Sequence, residues 1–191
     1  MNVILCHPTR INYYDQSEQH WMTRLFFLFP FLDVNEHTPQ FTNGGSYTAL
    51  ASENATVGTL VSSVNATDLD SGSVYGLVTY SITSGNSGDM FTIRPTDGKV
   101  FVKRTLDRES ADSYSLVIKA SDQDPDSPLS STASLVITIT DVNDNTPSCN
   151  PCIYSASINE SIAIGTTIAQ LNCSDADLSS NTITSYAITT G

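Results

Sequence analysis

Between residues 40 and 148 the chain is written in short runs where apolar and polar positions alternate. Tyr114-Ser-Leu116-Val-Ile118-Lys-Ala120 and Ala133-Ser-Leu135-Val-Ile137-Thr-Ile139 keep every second residue apolar. They are also rich in β-branched side chains, the mark of strands with one buried face. The same reading predicts strands at Ser46–Ser52, Thr59–Asn65, Leu77–Thr83, Met90–Arg94, Lys99–Lys103, Ser113–Ala120 and Thr132–Thr140. Asp97-Gly98, between Phe91/Ile93 and Val100/Val102, predicts a tight hairpin turn. No stretch with a 3.6-residue apolar period and caps competes. Leu60, Ile82, Phe91, Val117, Ile118 and Ile137 form the expected core. Seven strands in about 100 residues, with regularly spaced turns, predict an all-β Ig-like Greek-key sandwich.

The chain also repeats itself. Asp33-Val-Asn-Glu-His-Thr-Pro39 matches Asp141-Val-Asn-Asp-Asn-Thr-Pro147 at an offset of 108. Glu53 matches Glu160, Gly58-Thr59 matches Gly165-Thr166, and Asp68-Leu-Asp70 matches Asp175-Ala-Asp177, all at 107. A one-residue deletion between Pro147 and Glu160 accounts for the slip. So long a period is a whole domain in tandem, not a solenoid unit. The chain thus has three segments: 1–32 matches nothing else, 33–148 is a complete unit with its linkers, and 149–191 begins a second. Residues 1–32 are expected to be irregular, and the second unit to have only its first strands.

Lys and Arg number 8 against 20 Asp and Glu, for a formal net charge of −12. That balance argues against nucleic-acid or anionic-membrane surfaces, which need clustered cations. Charged residues are only 15 % of the chain, so the acid is concentrated rather than spread through a disordered polymer. Leu25–Leu32 is too short to span a bilayer and lacks a small-residue cleavage site. Cys149-Asn-Pro-Cys152 has CxxC spacing, yet no second pair or histidine completes a zinc site. A disulfide from Cys149 or Cys152 to Cys173 fits an oxidising compartment, and the spacing does not choose between them. Sequons at Asn54, Asn65, Asn159 and Asn172 also point to an extracellular, glycosylated chain.

Most carboxylates fall on repeating strand-end and linker positions: Glu53, Asp107, Glu109, Asp141, Asp144, Asp175 and Asp177. Seven converging carboxylates repel one another unless a cation intervenes. Calcium, a hard ion with 6–8 oxygen ligands, suits a site built from carboxylates, Asn side chains and backbone carbonyls. Asp-x-Asp alone is usually a solvated turn; the recurrence at fixed offsets distinguishes this set. An EF-hand is excluded, because Thr146 and Cys152 stand where its glycine and terminal glutamate belong.

Leu106-Asp-Arg-Glu109, Ala120-Ser-Asp122, Asp141-Val-Asn-Asp-Asn-Thr-Pro147 and Asp68-Leu-Asp70 resemble the calcium-binding signatures of cadherin repeats. The resemblance spans 33–191 and implies a rod of tandem sandwiches with calcium held between neighbours. Carried over residue by residue, Glu53, Asp107, Glu109 and Asp144 resemble an outer site. Glu53 and Glu109 recur in a middle site with Asp141, Asp144, Asp177 and the carbonyl of Val142. Asn143, the carbonyl of Asn145, Asp175 and Asp177 resemble a third. Upstream, Asp33, Asn35, Glu36, Asp68, Asp70 and Asp122 match the equivalent junction. There Glu36 replaces the family's Asp, and His37 replaces an Asn whose backbone carbonyl is the part required. Cys149 stands where an aromatic, such as Phe41 of the first unit, is usual.

The implied function is calcium-dependent, homophilic cell–cell adhesion at the extracellular side of the plasma membrane, through repeats on the same or an apposed cell. Membrane attachment is expected only through parts of a longer parent chain. Trp21 lies in the unmatched segment, which speaks for a Fat-like or protocadherin-like chain rather than one adhering by tryptophan exchange. The alternative is a calcium-rigidified spacer of a receptor or matrix protein. Catalysis is not expected: His7, His20 and His37 all precede the complete unit, leaving its serines no imidazole base. The acids also sit at domain ends, without the cleft that a glycosidase pair needs.

Overall fold

The computed structural model describes residues 9–15, 20–26, 34–70, 72–178, 182–183 and 185–189. Two compact units are resolved, Met1–Val34 and Asn35–Gly191. In the first, β1 (Thr9–Asp15) and β2 (His20–Phe26) pair antiparallel, from Thr9 opposite Phe26 to Asp15 opposite His20. This corrects the expectation of an irregular N-terminal segment. The alternation there is too weak to mark strands, and the pairing supplies what the pattern lacks.

Within Asn35–Gly191, β3 (Gln40–Phe41) and β4 (Ser46–Ser52) are followed by β5 (Leu60–Ser63) and β6 (Ala66–Thr67). A helical turn at Gly72–Tyr75 precedes β7 (Thr79–Ser84), β8 (Phe91–Ile93) and β9 (Lys99–Val102). β10 (Ser113–Ser121) and β11 (Ser130–Thr140) complete the sandwich. One sheet has the order β4-β11-β10-β7 and the other β5-β9-β8, with β3 paired to β6. The β4–β11 pair is parallel; the rest are antiparallel. This is the expected all-β sandwich, with all seven expected strands present and most of them one or two residues different at their ends.

The core lies between the sheets. Tyr114, Leu116, Ile118 and Ala120 point inward from β10, and Ala133, Leu135, Ile137 and Ile139 from β11. Phe91, Val100 and Val102 close it from the other side, each large buried apolar side chain contributing about 1.5–3 kcal/mol. Gly98 makes the β8–β9 turn at φ +66°, and a Cβ there would lie 2.2 Å from the Val64 carbonyl oxygen.

Ile82 is half-buried and packs against this core, but two expected core residues are displaced from it. Val117 is half-buried, out of phase with Leu116 and Ile118. Leu60 is 52 % exposed. A bulge in β5 pairs Leu60 with Phe101 but Ser62 with Val100, so the extra residue turns Leu60 outward while Val64 stays buried.

Past the sandwich, β12 (Ser148–Cys149) pairs antiparallel with β13 (Cys173–Ser174). Cys149 is directly opposite Cys173 and bonded to it, and Cys152 is free and exposed.

Candidate metal centre

Strand direction sorts the acids to the two ends of the sandwich. Because β11 runs from Ser130 to Thr140, the downstream end collects the residues just past β4 and β11: Glu53 and Asp141. The Glu53 amide donates to the Thr140 carbonyl at 3.2 Å, which fixes the carboxylate at this end. It is almost fully buried, at 3 % exposure. One oxygen accepts from the Arg108 amide at 2.9 Å and the other from the Val142 amide. Glu53 therefore ties the turn after Leu106 to the linker.

Asp107 organises that turn. Its carboxylate accepts from the Glu109 amide at 3.1 Å, the Ser110 amide at 3.3 Å and the Ser110 hydroxyl at 2.7 Å. The Ser110 hydroxyl in particular holds the Asp107 pKa below its ordinary value. Oxygens of Glu53, Asp107 and Glu109 lie within 4.8 Å of one another, as do those of Glu109, Asp141 and Asp177. Glu109 belongs to both groups.

The second unit delivers Asp175 and Asp177 just after β13. The Asp177 amide donates to Asp175 at 3.1 Å, and Asp177 accepts from the Asn145 side chain at 2.9 Å. Asn145 also donates to Asp144 at 2.9 Å. The Leu178 amide reaches Asp141 at 3.0 Å. Asn143 is exposed.

Electrostatically the cluster is short of positive charge. Desolvation raises the Asp144 pKa, reinforced by Glu53, Asp177, Asp107 and Asp141. Desolvation also raises Glu109, with Glu53 and Asp144 adding to it. Arg108, which sequence reasoning passed over, inserts its guanidinium between Asp141 and Glu109 and donates to the Ala176 carbonyl at 2.7 Å. Burial works against its charge, but the Asp141 hydrogen bond and the surrounding carboxylates outweigh it and raise its pKa.

The upstream end is built from the segments that leave β6 and β10. The Asp70 amide donates to Asp68 at 3.0 Å. Asp122, 3 % exposed, accepts from the Leu129 amide at 3.0 Å and from the Asn35 side chain at 3.0 Å. Asn35 also donates to Asp124 at 3.2 Å, a residue whose Asp122-x-Asp124 spacing repeats that of Asp68-x-Asp70 and could have marked it. Asp33 lies outside the described residues.

His37 departs from expectation. More than its backbone is engaged: its amide and its Nδ1 meet the two oxygens of Asp70 at 3.0 and 2.6 Å. That ring hydrogen bond raises the His37 pKa. Desolvation opposes ionisation of Asp70, but the His37 ring and amide hold it below its ordinary value. Glu36, His37 and Asp70 form a third close group.

Two oxygens here, Asn35 Oδ1 and Asp68 Oδ2, are buried with no hydrogen-bond partner among the described residues. A buried acceptor without a donor is costly. A cation at each would supply the missing partner, and the carboxylate and amide oxygens of Asn35, Asp68, Asp70 and Asp122 are ligands of the kind calcium takes.

Fold and site together define a β-sandwich repeat module with an acid-lined end on each side. Residues 47–140 match the family model of the Cadherin domain. Human Protocadherin Fat 4 is 43 % identical over 157 residues, 82 % of this chain and 3 % of that protein. Human Cadherin-23 is 39 % identical over 164 residues, 84 % of this chain and 5 % of that protein. The crystal structure of mouse Cadherin-23 EC22-24 superposes with a TM-score of 0.74 at 32 % identity, over 85 % of this chain and 50 % of that one. The chain belongs to the cadherin repeat family, on the side of the Fat-type and other long cadherins. It spans only a few per cent of these curated relatives. Repeats of this family are extracellular adhesion-type modules of membrane cadherins, and they generally bind calcium. Among the described residues no helix is long and apolar enough to cross a membrane.

Proposed function

We propose that this chain is part of an extracellular cadherin rod whose repeats are locked end to end by calcium and adhere to cadherin repeats on the same or an apposed cell, homophilically. In this reading 33–148 is one complete repeat with its linkers, 149–191 opens the next, and 1–32 stands outside the repeats.

Two buried oxygens without a hydrogen-bond partner among the described residues, Asn35 Oδ1 and Asp68 Oδ2, support this reading most strongly. Downstream, Glu53, Asp107, Glu109 and Asp144 would hold an outer ion. Glu53, Glu109, Asp141, Asp144, Asp177 and the Val142 carbonyl would hold a middle one. Asn143, the Asn145 carbonyl, Asp175 and Asp177 would serve a third. Upstream, Asp33, Asn35, Glu36, Asp68, Asp70 and Asp122 would act together, without the carboxylates that a preceding repeat contributes elsewhere in the family.

The ions would supply positive charge and nothing else; the role is mechanical. Glu53 already binds the Arg108 and Val142 amides, so it fixes the linker before any ion arrives. Neutralising Asp141, Asp144 and Asp177 would let the linker stay straight against their mutual repulsion. At extracellular calcium, modules of this kind bind at about 10⁻⁴–10⁻³ M.

Beads coated with the full ectodomain of the parent chain test adhesion. The reading predicts aggregation in millimolar calcium and dispersal in chelator. Dispersal in both would contradict adhesion and favour a rigid spacer.

A further inference from the structure

Four of the chain's eight Lys and Arg residues stand together. Arg94, Lys99, Lys103 and Arg104 lie on or beside β8 and β9, and none of them is among the residues assigned to calcium. They share two carboxylates: Asp97 takes Arg94 at 2.9 Å and Lys99 at 3.3 Å, and Asp89 takes Lys103 at 2.5 Å and Arg104 at 3.9 Å. Four cations against two anions leave a local excess of two positive charges on a chain of net charge −12. All four side chains remain substantially exposed, Lys99 least at 44 % and Arg104 most at 62 %.

The same sheet face is apolar at its centre. Val57, Thr92 and Phe101 line an open groove of about 460 Å³, with Arg94 and Lys103 at its rim, while Ile93, in register with the buried Val100, turns to the core. The Arg94 guanidinium lies over the Phe101 ring at 4.9 Å. The β5 bulge adds Leu60, opposite Phe101 and exposed.

We propose that this face binds a sulfated polysaccharide. Such a chain is amphipathic: its sugar rings present C–H surfaces that fit an apolar floor, and its sulfates fit a cationic rim. Lys99 and Phe101 alternate outward on β9 and Lys103 follows just past its end, so the two lysines are carried by backbone positions about 13 Å apart along the strand direction. A linear polyanion matches that line and concentrates enough charge to outweigh repulsion from distant carboxylates, which salt screens beyond about 8 Å. A second copy of this chain fits less well, because its acid lies at the ends of the sandwich. The proposal rests on the extracellular placement proposed for the chain.

The test is retention of the whole chain on immobilised heparin, against chemically desulfated heparin, across a salt series. Retention on heparin alone is expected, with the slope of log affinity against log salt falling by about one for each cation removed. Lys99→Gln/Lys103→Gln/Arg104→Gln should lose at least about tenfold in affinity at physiological salt, while Lys119→Gln on the other sheet loses nothing. Should the triple variant fail to fold, protection from acetylation decides: heparin octasaccharide should shield Lys99 and Lys103 of the native chain, but not Lys119. Retention should persist in chelator, because none of the four cationic side chains is assigned to calcium. Loss of retention in chelator, equal binding to the desulfated polymer, salt-dependent self-association in place of heparin binding, or an unaffected triple variant would each overturn the proposal. The desulfated-polymer, self-association and triple-variant outcomes leave the calcium linker untouched, and hydrogen–deuterium exchange tests that linker independently.

Discussion

Cys149 and Cys173 sit directly opposite each other on β12 and β13, at the positions that Phe41 and Ala66 hold on β3 and β6. The second unit thus replaces an aromatic–alanine contact with a covalent bond at the entrance to its sandwich. Asp175 and Asp177 come two and four residues after Cys173, so the bond also fixes where these carboxylates emerge.

The double variant Cys149→Phe/Cys173→Ala rebuilds the pair of the first unit and should keep most of the calcium affinity of the junction. Cys173→Ser alone leaves neither bond nor packing and should weaken that affinity several-fold. Calcium titration calorimetry separates the two; equal behaviour would show that the disulfide does not position Asp175 and Asp177. A non-reducing peptide map should meanwhile find Cys149 joined to Cys173 and Cys152 free.

Glu53 is the buried tie between turn and linker. Glu53→Ala strands the Arg108 and Val142 amides, and should cost about 1–3 kcal/mol per buried donor left without an acceptor. Thermal melts in chelator report this without interference from any ion. An unchanged melting temperature would mean that water replaces the carboxylate at no cost.

Protons and calcium compete at this end. Desolvation and neighbouring carboxylates raise the pKa of Glu109 and Asp144, so the metal-free folded chain holds protons that the unfolded chain releases. From these two groups alone, metal-free stability falls as pH rises through their raised pKa values. Calcium needs the ionised forms, so its affinity should fall as pH drops from 7.4 towards 5. Calcium titrations at the two ends of that range check the direction, and equal affinities would contradict it.

Residues 33–148 alone should give a cooperative β-sheet melt, since both sheets and their shared core lie within them. Circular dichroism showing no cooperative transition would contradict this.

Much of this was legible in the sequence, and the misses have physical causes. Period-two alternation exposes β10 and β11 because each has one face buried and one wet. It misplaces Leu60 because a bulge is a matter of register with β9, which composition does not encode. Repetition exposes Glu53, Asp68, Asp70, Asp141, Asp175 and Asp177, since each recurs at the same offset or belongs to a motif that does. Arg108 escapes because a cation inside an acid cluster carries no ligand signature, whereas Asp124 has a signal in its spacing from Asp122 and only its contact with Asn35, 89 residues away, needs the fold. The choice of Cys149 over Cys152 is settled only by strand pairing, which places Cys173 opposite the former.

In the proposed function calcium stiffens the linker without being needed by the sandwich. Hydrogen–deuterium exchange of the peptide spanning Thr140–Pro147, in millimolar calcium and in chelator, tests this. Glu109 is shared by two carboxylate groups, so Glu109→Ala should disturb two ions at once. Exchange should be at least about tenfold slower with calcium in the native chain and much less slowed in Glu109→Ala, with no change in β10 or in β11 before Thr140. Identical linker exchange with and without calcium in the native chain would contradict it.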